Sequence, residues 1–422
     1  MTSNEPKERG MDGPAILIIG GRTEALLKAS ALGVRTVLMQ HKDRLLPGQV
    51  EAADATLLVD FTDWRLAVPL ARAAQEAYGF TRVMSLTEPA LETVGRINDA
   101  LGLEGTSYEV AHRFRDKLLM RRRLAEAGLP DLAAAPVESA GDLTDFGRTH
   151  GYPLILKPVD GVGSRGVTRI DSEEEVAGAW SRAEGLRGRT DLQQAAFHPV
   201  DRYMVERYAE GPEFSVEAVS AKGAHTVVAV TEKLTEGSVE RGHAQPPRIP
   251  AAQEAALVAH VQEFLTAMGL RDGLSHTEVR LTPEGPRVIE GHDRVGGGRI
   301  MDLTRHVHGV DLEEYAVGAP LGLLPPLPDA PAPRGAAATR FLTAEPGEVV
   351  EVEGLEAVRA HPGLIDVDPG VRPGDLVRPV TENFDRIGQL LAGAESTDAA
   401  VELCEELVGR VVIHTRTPQP AD

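Results

Sequence analysis

PLILKPVDGVGSRGV, residues 153–167, is the stretch on which the fold reading turns. Its apolar residues predict a buried strand that delivers Lys157 at its end. A loop with Gly161, Gly163, Ser164 and Gly166 follows before the next strand begins. Glycines let backbone N–H groups approach an anion closely, and a strand-end lysine neutralises phosphate oxygens. A glycine-rich hairpin with a surface lysine is the plainer alternative for this segment alone. The chain holds no GxxxxGK[ST] motif, so it is not a P-loop protein.

Two further segments downstream bear on the same chemistry. In MVERYAEGPEFSVE, residues 204–217, a strand carries Glu206 and Tyr208 into a Gly211-Pro212 turn, and Glu213 starts the next strand. Such a segment can offer backbone groups to adenine and a carboxylate to ribose hydroxyls; solvated glutamates on a strand–turn–strand are the alternative. HTEVRLTPEGPRVIEGHDR, residues 276–294, reads as a hairpin. With a three-residue loop of Pro283, Glu284 and Gly285, Glu278 lies opposite Glu290 and His276 opposite His292, because side chains alternate with period two. A two-residue loop would put the glutamates on opposite faces. Facing carboxylates repel unless a cation sits between them, and oxygen donors suit Mg²⁺ bridging to phosphates. Arg294 follows at once, suited to charge growing on a transferred phosphoryl group. Gly296, Gly297 and Gly298 then let backbone close against a substrate, with Gly297 counted among the substrate-facing positions.

Outward from these segments, AILIIGGRTEALLKASALGVRTVLMQ, residues 15–40, opens an alternation of strands and helices that continues to about residue 106. Units of this length predict a doubly wound parallel sheet, an α/β domain over 14–106. Gly20-Gly21 lacks the GxGxxG spacing and reads as a structural turn. Residues 107–129 read as a basic helical stretch stopped by Gly128 and Pro130. The three segments then fall in an α+β domain over 107–320, with a lid subdomain at about 131–207. Pro320, Pro325, Pro326, Pro328, Pro331 and Pro333 mark a linker, and 336–422 forms a small α+β module of strands and one terminal helix.

Composition narrows the function classes. Acidic residues outnumber basic ones 64 to 44 in 422 residues, and aromatics make up only 4%, so a nucleic-acid partner is not expected. No apolar run approaches a spanning helix, and the leading residues carry no signal-peptide core, which predicts a cytoplasmic protein with no membrane partner. The single cysteine, Cys404, sits in an apolar helical pattern and reads as a buried inert thiol.

Taken in order, Lys117, Lys157 with its glycine loop, Glu206/Glu213, Glu278 and EGHDR resemble the ATP-grasp superfamily over about residues 14–320. Within it, the chain is most similar to L-amino-acid ligases (dipeptide synthetases). FLTAEPGEV at 341–349 and VRPGDLVRPVTENFDRIGQLLAGAESTDAAVE at 371–402 resemble their C-terminal domain, and VERGHAQPP at 239–247 resembles a glutamate–histidine substrate segment. The resemblance implies that Lys117 and Lys157 contact ATP phosphates beneath the 161–166 loop. It puts Glu206 and Tyr208 at the adenine hinge and Glu213 on the ribose. It implies that Glu278 and Glu290 hold Mg²⁺, that Arg294 stabilises an acyl phosphate and a tetrahedral intermediate, and that Glu240 and His243 line the amino-acid pocket. The family's third metal-side residue is usually asparagine; here it is His292, and imidazole suits softer metals better than Mg²⁺. His292 then leaves the metal, or holds a second ion weakly, or Mn²⁺ is tolerated. His276 has no family role and reads as a core or rim histidine. The implied reaction joins a small-molecule acid, by the resemblance an amino acid, to an amine; the rivals are ligases that act on nucleotide precursors, bicarbonate or a side-chain carboxylate, and a non-catalytic ATP-binding module. Related ligases are often dimers, which makes a homodimer the expectation.

Overall fold

A computed structural model describes residues 13–189, 199–327 and 331–417. Residues 1–12 of the leading stretch and Pro328 of the proline-rich segment lie outside the described residues.

Four strands, β1 (Ala15–Ile19), β2 (Arg35–Gln40), β3 (Ala55–Leu58) and β4 (Arg82–Met84), make a parallel sheet in the order β3-β2-β1-β4. Leu17, Ile19, Val37 and Met39 pack on helices Trp64–Tyr78 and Leu91–Leu101, while Ile16, Ile18 and Leu38 pack on helix Thr23–Ala31. Both faces are covered, which is the doubly wound arrangement expected from the apolar runs. Gly20 ends β1 at φ 64°, and a Cβ there would lie 2.7 Å from the Thr87 methyl. The turn needs glycine on both counts.

The basic stretch 107–129 is two helices rather than one, Tyr108–Arg115 and Lys117–Glu126. Asp116 breaks it: its backbone is extended, and its carboxylate accepts from the N–H groups of Leu118 and Leu119. That cap sets Lys117 at the start of the second helix, beside the glycine loop.

Strands β5 (Ala134–Val137), β6 (Leu154–Pro158), β7 (Thr168–Ile170) and β8 (Tyr203–Arg207) form an antiparallel sheet in the order β5-β8-β6-β7. Leu154, Leu156, Tyr203 and Val205 pack against helices Ala140–His150 and Val176–Leu186. Alternation therefore turns Ile155 and Lys157 the other way, into a large cavity that both line.

The largest sheet contains β9 (Glu213–Ala221), β10 (Ala224–Glu236), β11 (Val239–Gln245), β12 (Gly273–Thr282), β13 (Gly285–His292), β14 (Ala336–Leu342), β16 (Leu364–Asp368) and β18 (Ile387–Ala394). Its order is β13-β12-β9-β10-β11-β14-β18-β16, so the strands after the proline-rich segment continue the sheet through the β11–β14 pairing. A smaller sheet of β15 (Gly347–Glu353), β17 (Leu376–Val377) and β19 (Val412–Arg416) completes that module. The module carries a short helix, Leu355–Arg359, besides the expected Thr397–Val408. Cys404 lies in the latter, fully buried, its Sγ donating to Ala338 O at 3.1 Å.

The hairpin of β12 and β13 differs from the sequence reading in its turn. Thr282 pairs with Gly285, leaving a two-residue loop, which alone would separate the glutamates. A bulge at Ile289 adds the missing residue, so Glu278 still faces Glu290 and His276 still faces His292. Without the bulge Val288 and Glu290, two apart, would share a face; with it Val288 enters the core and Glu290 the cavity.

Candidate active site

The lid sheet, the large sheet and the N-terminal domain enclose a cavity of about 1070 Å³. Lys157 from β6 is buried, with Nζ 2.5 Å from Glu206 Oε1 on β8. Arg121 holds the other oxygen of Glu206 at 3.0 Å and donates to the carbonyls of Val288 and Ile289 at 2.7 and 2.8 Å. Burial pushes the Lys157 amine down despite Glu206 beside it. Burial opposes the charge on Glu206 too, but Lys157 and Arg121 hold its carboxyl below the usual range. The Glu206 carboxylate is therefore turned to Lys157 and Arg121.

Lys117 donates to Gly161 O at 2.8 Å and lies 2.7 Å from Glu290 Oε2, tying helix, loop and hairpin together. Gly163, Ser164 and Gly166 adopt positive φ, so the loop curls back over the cavity that it lines.

On β10, Lys233 is buried and sits among three carboxylates: Glu278 at 2.6 Å, Glu240 at 2.8 Å and Glu213 at 3.1 Å. Burial disfavours a charge on Glu278, yet Lys233 chiefly holds its carboxyl down to about 2. Glu240 is likewise held well below the carboxylate range, against its burial, by Lys233 and then by His243 and Arg386. Glu213 also takes a two-pronged contact from Arg280, at 2.9 and 3.1 Å, and Arg280 donates to the Tyr208 hydroxyl at 2.6 Å. Two guanidinium groups lie near the Tyr208 ring, Arg169 at 4.4 Å and Arg280 at 4.9 Å from its centre.

His276 and His292 face each other with ring centroids 6.0 Å apart. His276 is buried between Glu217, at 2.7 Å, and Glu278, at 3.3 Å; burial works against its charge, but Glu217 prevails and raises its pKa to about 9. His292 Nδ1 lies 3.0 Å from Glu88 and Nε2 3.4 Å from Glu290. Arg294 reaches Glu88 at 2.5 Å and Val295 O at 2.6 Å. Glu240 and His243 meet at 3.5 Å at the far side, where His243 Nδ1 lies 3.2 Å from Gly298 O and Arg386 is 2.8 Å from Glu240. Gly20, Gly21, Phe61 and Leu86 line the cavity from the N-terminal domain, and Gly297 lines it too.

The site residues expected from the sequence all line this cavity except Gly166, which belongs to the loop beside it. Sequence reasoning missed Lys233, Arg121, Glu88 and Arg386. Arg121 lies in the run MRRRLAE, which looks solvated, and Glu88 arrives from another domain. Strand parity puts Lys233 opposite in face to Val230, but only pairing with β9 reveals which face is the cavity's.

Models of the ATP-grasp N-terminal domain and the ATP-grasp domain match residues 26–105 and 150–302, together more than half of the chain. The chain belongs to the ATP-grasp family. An L-amino acid ligase C-terminal domain model matches residues 340–416 of this ATP-grasp protein. It is 24% identical over 331 residues to an L-arginine-specific L-amino acid ligase of Bacillus subtilis, covering 77% of this chain and 78% of that one. To carnosine synthase 1 of Gallus gallus it is 28% identical over 270 residues, 61% of this chain but only 28% of the relative. To alanine–anticapsin ligase of Bacillus subtilis it is 24% identical, spanning about half (53%) of that protein. The solved L-amino acid ligase of Bacillus licheniformis superposes with a TM-score of 0.79 at 22% identity, over 96% of this chain and 99% of that one. The resemblance read from the ordered motifs is the relationship that these comparisons find. No helix among the described residues is long and apolar enough to cross a membrane.

Proposed function

We propose that this ATP-grasp protein is an ADP-forming ligase that activates a carboxylate, that of an amino acid, as an acyl phosphate and couples it to an amino-acid amine. The observation that carries the reading is the convergence of Lys117, Lys157, Glu278, Glu290 and Arg294 on the same cavity as Glu240 and His243. Lysines and a glycine loop at one side suit a triphosphate, and a deep chamber reaching to the N-terminal domain leaves room for two substrates.

Glu278 and Glu290 face each other with hard oxygen donors of the kind that suit Mg²⁺, and they are the residues that would hold that ion. When bound, Mg²⁺ supplies charge neutralisation for the transferred phosphoryl group. Lys117 and Lys233 hold the two carboxylates in position and ionised. His292, set between Glu88 and Glu290, orients Glu290 in place of the family's asparagine. Lys157, Lys117 and Arg294 stabilise negative charge on the phosphoryl oxygens and on the tetrahedral carbon that follows. Glu206 serves by placing Lys157, Glu213 by facing the ribose. A homodimer in the cytoplasm is the setting that we propose.

The test is phosphate release with ATP, Mg²⁺ and pairs of amino acids, with product masses recorded. Release that needs two amino acids, giving a mass equal to their sum less water, supports the reading. ATP binding without release from any pair points instead to a different acid or amine or to a non-catalytic nucleotide module, and no ATP binding overturns the site assignment.

A further inference from the structure

The segment Asn383–Arg386 of the C-terminal module reaches back into the cavity and touches both the phosphate-side loop and the substrate-side strand. Asn383 makes three contacts at once. Its backbone N–H donates to Gly163 O at 3.1 Å, its side-chain amide donates to Ser164 Oγ at 3.2 Å, and its side-chain oxygen accepts from Glu240 N–H at 3.0 Å. The Phe384 ring packs on Gly163 so closely that a Cβ there would lie 2.6 Å from it. Arg386, seated on the Phe341 ring at 3.8 Å, donates to Glu240 at 2.8 Å. Ser164 holds φ 61°, a conformation that residues with side chains adopt rarely and keep only where surroundings fix it. Asn383 holds the hydroxyl of that residue.

We propose that Asn383 is a positioning residue that latches the 161–166 loop to the strand carrying Glu240, so that the loop shuts over the phosphates only when the substrate side is in register. This rests on the ligase reading above. In the productive route a carboxylate oxygen bonds to the γ-phosphorus as its bond to ADP breaks. The amine nitrogen then bonds to the acyl carbon, phosphate leaves with the bridging oxygen, and the nitrogen loses a proton to solvent. If the loop lifts early, water takes the amine's place; the acid and phosphate are returned, and the net reaction is ATP hydrolysis. A latch between the two halves of the cavity suppresses that leak. It also slows ADP departure, because the loop that covers the phosphates must release first.

The experiment measures two quantities on the full chain: phosphate released per amide formed, and the dissociation rate of a fluorescent ADP analogue. Ser164→Ala should raise the phosphate released in excess of amide, and the ADP release rate, each by about fivefold, the factor that one ordinary hydrogen bond carries, and Asn383→Ala, which also loses the Glu240 contact, by at least as much. The double variant should add little to Asn383→Ala, because the Ser164 contact is already lost there. Ser164→Ala reads the same contact from the loop side should Asn383→Ala fail to fold. Folded variants with an unchanged phosphate-to-amide ratio and unchanged ADP release would overturn the latch, even if their melting temperature fell. If the wild type forms no amide with any pair, the ligase reading falls and the ADP arm decides: faster release still supports the latch, and unchanged release removes it.

Discussion

The strands β9, β12 and β13 have two faces that could hardly differ more. On one, Phe214, Val216, Val279 and Val288 pack on Phe264, Val261 and Leu257 of helix Ala251–Met268, an apolar interior of the ordinary kind. On the other, Glu217, His276, Glu278 and Glu290 stand at the cavity with Lys233 from the neighbouring strand. The first face gains stability from apolar area removed from water. The second takes charged groups out of water, and each costs several kcal/mol before its partners offset it, by the usual order of magnitude. One sheet thus holds the fold together with one side and carries the chemistry on the other, and one bulge residue, Ile289, keeps the two sides sorted.

Deleting Val288 and Ile289 together is the harshest way to break that division. It joins Arg287 to Glu290, so Glu290 would pair with Val279 and swing toward Phe264, and activity should fall by more than about 10³-fold. Deleting Ile289 alone removes only the bulge residue and keeps Glu290 opposite Glu278, so an equal loss of activity in that single deletion would refute the register account. Lys157→Ala is the next largest: kcat should fall about 10²–10³-fold, with the circular-dichroism melt little changed, because Arg121 still pairs Glu206. Two single changes then set the faces side by side. Lys233→Met leaves three carboxylates without their shared cation, and Phe264→Ala opens the core; each should cost about 3–5 kcal/mol in urea unfolding. Turnover per folded molecule should collapse only in the first. Equal losses of activity in both would mean that the faces are not separable. The smallest effect concerns the C-terminal module. Burial pushes the Cys404 thiol up to about 12, so it stays protonated, and a thiol reagent at pH 8 should label it only after unfolding.

How much of this was legible depended on whether the signal was local. The strand that carries Lys157 and its glycine loop is written in consecutive residues, and so is the alternation that builds the N-terminal sheet. The facing of Glu278 and Glu290 was reached through the wrong turn: the sequence of the loop does not distinguish a three-residue turn from a two-residue turn with a bulge, and both give the same pairing at the far end. Asp116 was a readable stop, since an aspartate ahead of KLL is a helix cap, yet the basic run on either side masked it. Lys233, Glu88 and Arg386 were out of reach. Each belongs to the site only because distant segments pack together, and a lone lysine or glutamate in an alternating strand or loop otherwise reads as solvated.

The most direct test of the central claim follows an oxygen atom. With the acid substrate labelled with heavy oxygen in its carboxylate, activation at the γ-phosphorus followed by amine attack must leave one labelled oxygen in the released phosphate for every amide formed. Label in the phosphate, in equal number to the amide product, is the result that the charged face of this sheet predicts. Amide formed with unlabelled phosphate would contradict it.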